Sequence, residues 1–434
     1  MNGILKINGG NRLIGEITPV SNKNAVVAVL PLCLLTDKDC IYNNLPNSTD
    51  VIKIIEMLKK LGAEVNDTDF TKVIINCRRV KSYEVDFELG STIRASLNFA
   101  GPLLARFGKA KIPLPGGCNL GIRSINTHLD SFAKAGVTAT TNATHVCFKK
   151  SKRSNNIIWQ TEASVTATEN VLSFLASIDS ESNIIDAAAE PHVTQAAKTL
   201  QKMGATISGI SSNHLKIKGK SNLNGFEFTP DPDFVDITGH IIATALTKGD
   251  LTIKGGNRFF MQGIISTLKK FNINIAEQGD DLRVNVNGAL ELVDYKNNFP
   301  LATKELPKLV PKPWPGFPID CVPAVVTLMC KTNGQLLINN WMYESGLEYA
   351  DQLKKLGANI TIIDPQKIII KGSNNFKGGD VVAPGIIEGI KSIFLAGLAD
   401  TVTTVISNTN FLNRRYESLI NDYKILGADI KILE

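Results

Sequence analysis

The sequence predicts an α/β protein of two lobes, each built from three copies of one small unit. Three observations carry this expectation. One phrase, an amphipathic helix running into a small-residue turn and then a strand, recurs six times. Short β-rich runs follow the turns. A proline-rich phrase, Phe228-Thr229-Pro230-Asp231-Pro232-Asp233, sits near the midpoint and marks a crossing between lobes. The copies lie about 70 residues apart, with one longer gap between the fourth and fifth. A unit of that length is too long for a solenoid repeat and too short for an ordinary domain.

The six copies read Leu61-Gly62-Ala63-Glu64-Val65, Ala135-Gly136-Val137-Thr138-Ala139, Met203-Gly204-Ala205-Thr206-Ile207, Phe271-Asn272-Ile273-Asn274-Ile275, Leu356-Gly357-Ala358-Asn359-Ile360 and Leu426-Gly427-Ala428-Asp429-Ile430. In the first, Val51, Ile54, Ile55, Leu58 and Leu61 form one apolar helical face. Ser48, Thr49 and Asp50 are its N-cap candidates. Gly62 takes the helix-ending position, where a residue without Cβ adopts φ > 0 at little cost. The last copy repeats the face with Tyr416, Leu419, Ile420, Tyr423 and Leu426. The β-rich runs are Lys72–Asn76, His145–Phe148, His214–Lys218, Asp281–Val286 and Lys367–Lys371. Two similar lobes leave a cleft, the usual place for a ligand.

At 434 residues the chain is about two domains long. With 43% hydrophobic and 20% charged residues, its composition is that of an ordinary globular protein. No apolar run reaches the roughly 18 residues of a membrane helix, and the N-terminus lacks a signal-peptide pattern. A cytoplasmic protein is expected. The seven cysteines are scattered without a CxxC pair, which argues against a disulfide framework and a zinc cage. The five histidines show no metal-ligand spacing. A formal net charge of +6, dispersed along the chain, suits small anionic substrates better than nucleic acid.

Several segments carry chemistry-bearing residues. In Leu114-Pro115-Gly116-Gly117-Cys118-Asn119-Leu120-Gly121-Ile122-Arg123, three glycines and a proline surround a cysteine. Such a backbone can approach a ligand closely, and Lys109, Lys111 and Arg123 would favour the thiolate. The alternative is a glycine-rich turn around an inert cysteine. Ser21-Asn22-Lys23-Asn24-Ala25 enters an apolar run, Val26 to Leu35. There Lys23 either holds an anion at a helix N-terminus or is a solvated lysine in a polar turn. Arg94 starts another apolar helix pattern, and Arg414-Arg415 precede the last helix. An arginine at a helix start opposes the dipole unless an anion is present; the alternative is a surface ion pair. Asp320 is either a base or the N-cap of a helix over Val322 to Met329.

In this order, these pieces resemble the enolpyruvyl transferases over nearly the whole chain. The most specific piece is the segment from Leu114 to Arg123. The phrase Ile93-Arg94-Ala95-Ser96 is more similar to the branch acting on UDP-N-acetylglucosamine, which starts peptidoglycan precursor synthesis, than to 5-enolpyruvylshikimate-3-phosphate synthases. The resemblance implies an inside-out α/β barrel of six βαββαβ-like repeats. One lobe would span 22–232 and the other 1–21 plus 233–434, with the active site between them. It implies phosphoenolpyruvate and a hydroxylated nucleotide-sugar-like acceptor as substrates, and no metal or redox cofactor.

Carried over by position, the resemblance makes Cys118 the loop acid that protonates the methylene carbon of phosphoenolpyruvate. Lys23, Arg123 and Arg414 match cations on its phosphate, and Arg94 a further arginine of the site. Asn24 matches a sugar contact, and Asp320 the carboxylate proposed to take the acceptor's proton. Asp233 matches an acidic residue near the lobe crossing. Ser164, Val165, Thr166, Tyr343 and Arg415 complete the substrate-binding set. Convergent guanidinium and ammonium groups suit the phosphate and carboxylate of phosphoenolpyruvate. A cysteine of ordinary pKa is about 97% thiol at pH 7 and can act as an acid.

The departures fall within the site. Where the family's Asp-Leu-Arg grips the substrate carboxylate, this chain has Ile386-Ile387-Glu388. A second family arginine aligns with Gly346, a lysine near the nucleotide diphosphate with Glu162, and the uridine-side Pro-x-Asp-Leu with Ser124-Ile125-Asn126-Thr127. Arg415 replaces a glycine. Each lost arginine costs about 10- to 100-fold in affinity unless Arg415 or Lys391 compensates. Three readings follow: transfer to UDP-N-acetylglucosamine, transfer to another nucleotide or sugar hydroxyl in specialised metabolism, or a weakly active or non-catalytic binding homologue.

Overall fold

In the computed structural model the described residues are 3–114, 124–152, 155–286, 288–293, 306–416 and 418–433. Two compact units emerge. Among the described residues one holds 21–114 and 124–231, and the other 3–20 and 232–433. Each unit has its own apolar core. The architecture is an inside-out α/β barrel, with helices at the centre of each unit and small sheets around them.

The central helices of the 232–433 unit are Phe234–Leu246, Val322–Lys331 and Ile387–Ala399. They pack on one another. Every residue of Phe234–Leu246 is buried, Asp236 and His240 included, as in a helix at the centre of a core. In the other unit Lys23–Val29 continues as a 3-10 turn, Leu30–Leu35, while a 3-10 turn, Arg94–Phe99, runs into Ala100–Phe107. Both pack centrally, as does Val165–Ala176. A Cβ on Gly101 would stand 2.2 Å from Asn170 O and Ser173 Oγ, so only glycine admits that helix contact.

Among the described residues, six sheets surround these helices, three to a unit. The chain's first strand, Ile4–Asn8, pairs antiparallel with Thr403–Ser407 and with Asp429–Leu433 near the end of the chain. Strand Ile14–Ile17 pairs in parallel with Asp250–Ile253. The N-terminal segment thus completes two sheets of the unit formed mainly by 232–433. Strands such as Lys72–Asn76 and His214–Lys218 alternate buried and more exposed residues, with one face on the core.

Helix ends follow the repeated phrase. Thr49–Leu61 stops at Gly62, which has φ 104° and donates its N–H to Leu58 and Lys59 carbonyls. Gly136, Gly204, Gly357 and Gly427 are also left-handed. The fourth copy substitutes Asn272 at φ 60°, asparagine being the side chain that best tolerates this region. The last α-helix is Leu419–Ile425 and is shorter than its apolar pattern; Tyr416 is buried ahead of it. No helix among the described residues is long and apolar enough to cross a membrane.

Candidate active site

In the 21–231 unit, Asn22 caps the helix Lys23–Val29 by accepting from the Ala25 N–H. That cap places Lys23 at the first helical position. Lys23 is only 9% exposed, and its Nζ lies 3.2 Å from Asp50 Oδ2. The solvated-lysine reading does not hold. A cation at a helix N-terminus is unfavourable by itself, and the buried Asp50 carboxylate offsets it. Asp50, a cap candidate in the sequence, is therefore a partner of Lys23; Ser48 takes the cap position without a side-chain cap bond. Asn24 is half-buried beside it.

Arg94 opens its 3-10 turn half-buried, with Nη2 donating to the Ser124 carbonyl at 3.0 Å. Its charge reaches His128. Burial and then Arg94 push the His128 pKa down to about 3, so this imidazole is neutral. Its Nε2 is 2.9 Å from Thr166 Oγ1, and its Nδ1 is 3.3 Å from Asn170 Nδ2. As Asn170 Nδ2 can only donate, Nδ1 is the acceptor and Nε2–H donates to Thr166. Ser164 is the N-cap of Val165–Ala176, so Ser164, Val165 and Thr166 form the start of a buried helix. Just before it, Glu162 accepts from Thr127 Oγ1 at 2.8 Å. A carboxylate bound to a hydroxyl occupies the segment where a diphosphate-binding lysine is expected.

Deeper in the same helix, Glu169 accepts from Asn98 Nδ2 at 2.9 Å. Burial pushes its pKa up to about 8, so it is protonated at neutral pH. Cys118 and Arg123 lie outside the described residues.

In the 232–433 unit, Asp233 is the N-cap of Phe234–Leu246 and accepts from the Val235 N–H. Arg415 forks onto it, with Nε to Oδ2 and Nη2 to Oδ1 both at 2.9 Å. Arg415 Nη1 donates to Glu388 Oε1 at 2.6 Å and lies 3.6 Å from Asp320 Oδ2. The Arg415 and Asp233 side chains are 2% and 0% exposed, against 14% for Glu388 and 27% for Asp320. Asp320 is not a helix cap. A 3-10 turn, Ile319–Cys321, intervenes, and Cys321 takes the cap position of Val322–Lys331. Arg414 ends the 3-10 turn Thr409–Arg414, half-buried. Tyr343 lies in a bend, its carbonyl accepting from Gln366 Nε2.

Lys391 is also committed. Its Nζ donates to Asp236 Oδ1 at 2.6 Å, while His240 Nε2 lies 3.1 Å from Asp236 Oδ2. Burial alone would raise the Asp236 pKa; His240 and Lys391 hold it well below the usual carboxylate range. Sequence reasoning missed this triad and the Glu169–Asn98 pair. The available signal was a charged residue inside an otherwise apolar helix, which requires a buried partner.

The EPSP synthase (3-phosphoshikimate 1-carboxyvinyltransferase) family model matches residues 7–422. UDP-N-acetylglucosamine 1-carboxyvinyltransferase of Borreliella burgdorferi is 33% identical over 428 residues, covering 98% of each chain. The protein of that name from Treponema denticola is also 33% identical, covering 99% of each. Among solved structures, the enolpyruvyl transferase NikO from Streptomyces tendae superposes with a TM-score of 0.86 at 20% identity, with both chains fully covered. EPSP synthase from Acinetobacter baumannii gives 0.76 at 16%.

Proposed function

Because this chain belongs to the EPSP synthase family, and is thus an enolpyruvyl (1-carboxyvinyl) transferase, we propose that it moves the enolpyruvyl group of phosphoenolpyruvate onto a hydroxyl of UDP-N-acetylglucosamine or a similar nucleotide-sugar acceptor. The end-to-end match to relatives named for that acceptor carries this reading.

In the proposed reaction Lys23, Arg123 and Arg414 hold the phosphate of phosphoenolpyruvate. The Cys118 thiol gives its proton to C3, which makes C2 electrophilic. The acceptor oxygen bonds to C2 as its proton passes to Asp320. The resulting ketal then loses a proton from its methyl carbon and expels phosphate, leaving the enol ether. Asp320 suits a base because it is held beside Arg415 rather than used as a helix cap. Arg94, Asn24, Asp233, Ser164, Val165, Thr166 and Tyr343 supply the remaining substrate contacts of the proposal.

A second reading, transfer to a different nucleotide or sugar hydroxyl, is favoured by Glu162, whose carboxylate would repel a diphosphate. One experiment separates the two. Phosphate release from phosphoenolpyruvate is measured with UDP-N-acetylglucosamine, then with free nucleotides and sugar phosphates, each product weighed by mass spectrometry and Cys118→Ser run as control. An enolpyruvyl adduct of UDP-N-acetylglucosamine, lost in Cys118→Ser, is expected on the first reading. Release only with another acceptor establishes the second. Silence with every acceptor and no phosphoenolpyruvate binding overturns both.

A further inference from the structure

Three helices form the centre of the 232–433 unit, and the N-terminal end of each sends one carboxylate to the same guanidinium. Asp233 caps Phe234–Leu246, Glu388 lies in the first turn of Ile387–Ala399, and Asp320 sits in the 3-10 turn that enters Val322–Lys331. Carboxylates are favoured at these ends by the helix dipoles, but three converging anions repel one another. Arg415 resolves the conflict. It forks onto Asp233 and turns its remaining amino group between Glu388 and Asp320. The contacts are graded by burial, from Asp233 at 0% exposed to Asp320 at 27%.

From this convergence we infer that Arg415 is a positioning residue: it fixes the Asp320 carboxylate for the acceptor hydroxyl and does not itself grip phosphoenolpyruvate. The inference rests on the proposed role of Asp320 as base. A planar guanidinium committed to a bidentate pair on one edge cannot turn to a substrate carboxylate without abandoning a buried anion. Glu388, at 2.6 Å, occupies the amino group nearest Asp320. The cation gained at 415 and the anion at 388 thus answer each other within the protein rather than across to a ligand.

The test uses Arg415→Lys, which keeps the charge but loses the fork, and Glu388→Gln, which keeps an acceptor but loses the charge. Phosphoenolpyruvate affinity is read by calorimetry and kcat by phosphate release. For Arg415→Lys the expected result is a kcat lowered about tenfold or more, as for a misplaced base, with phosphoenolpyruvate Kd within about twofold of the parent. For Glu388→Gln, Kd is likewise expected within about twofold, so this variant carries the test if Arg415→Lys does not fold. A Kd weakened about tenfold in Arg415→Lys with kcat intact, or tightened about tenfold in Glu388→Gln as the guanidinium is released to the substrate, would overturn the inference. Asp320→Asn separates the two levels. Unchanged kcat there removes Asp320 as the base. Loss of kcat there, with Arg415→Lys folded and fully active, refutes the positioning role alone.

Discussion

Lys23 shows how one buried charge can be read for stability and for chemistry at once. It sits at a helix N-terminus, nearly enclosed, against the buried Asp50. Removing the ammonium takes one compensating charge from the buried Asp50 carboxylate, which is destabilising. Lys23→Met is therefore expected to lower the melting temperature. Lys23→Met/Asp50→Asn is expected to regain much of that loss, because both charges are then gone. Phosphoenolpyruvate affinity should remain about 10- to 100-fold weaker in both variants if the ammonium holds phosphate. Calorimetric titration beside thermal melts checks this. Equal affinity in the double variant and the parent would assign Lys23 to stability alone.

At the scale of the elements, the six helix ends make the clearest comparison. Five use glycine and one uses Asn272, all with positive φ. A Cβ at Gly62 would meet nothing closer than 3.4 Å, so Gly62→Ala tests backbone conformation rather than crowding. It is expected to destabilise by about 1 kcal/mol, as is Asn272→Ala, whereas Asn272→Gly should be close to neutral. Denaturant titrations of the three variants check the pattern. These ends were legible in the sequence because a left-handed residue after an apolar helical face is a local requirement. Partners were not. Asp50 read as a cap candidate and Asp320 as either a cap or a base, since a carboxylate before a helix is usually a cap. Asp50 was drawn instead to a lysine 27 residues away, and a 3-10 turn displaced Asp320 from the cap position. Both outcomes depend on packing that no local window contains. Lys23 was singled out as an anion holder at a helix N-terminus and Arg94 for opposing a helix dipole, and both stand at helix starts. The loop of Cys118, the most specific signal in the sequence, lies outside the described residues.

For the molecule as a whole, buried titratable groups set how stability responds to pH. His128 is neutral in the folded chain down to about pH 3 but takes a proton near its ordinary 6.5 when unfolded. Between those values the unfolded state binds more protons, so stability falls as pH falls. Glu169 acts in the opposite direction. Its folded pKa of about 8 lies above the ordinary 4.5, so the folded state binds more protons and stability falls as pH rises across that range. Melting temperature against pH should therefore flatten on the acid side in His128→Gln and on the alkaline side in Glu169→Gln. Parallel curves for parent and variant would show that the group concerned is not proton-linked to folding. The two-lobe α/β plan was readable from the period of the repeat. This network was not, because burial inside a helix core depends on all the helices at once.

The single guanidinium shared by three helix ends also makes substitutions there depend on their order. Neutralising Glu388 first leaves Arg415 still facing Asp233 and Asp320. Removing Arg415 first leaves three carboxylates together without their shared cation, the costlier step. The two substitutions therefore depend on each other, and their effects on stability should not add.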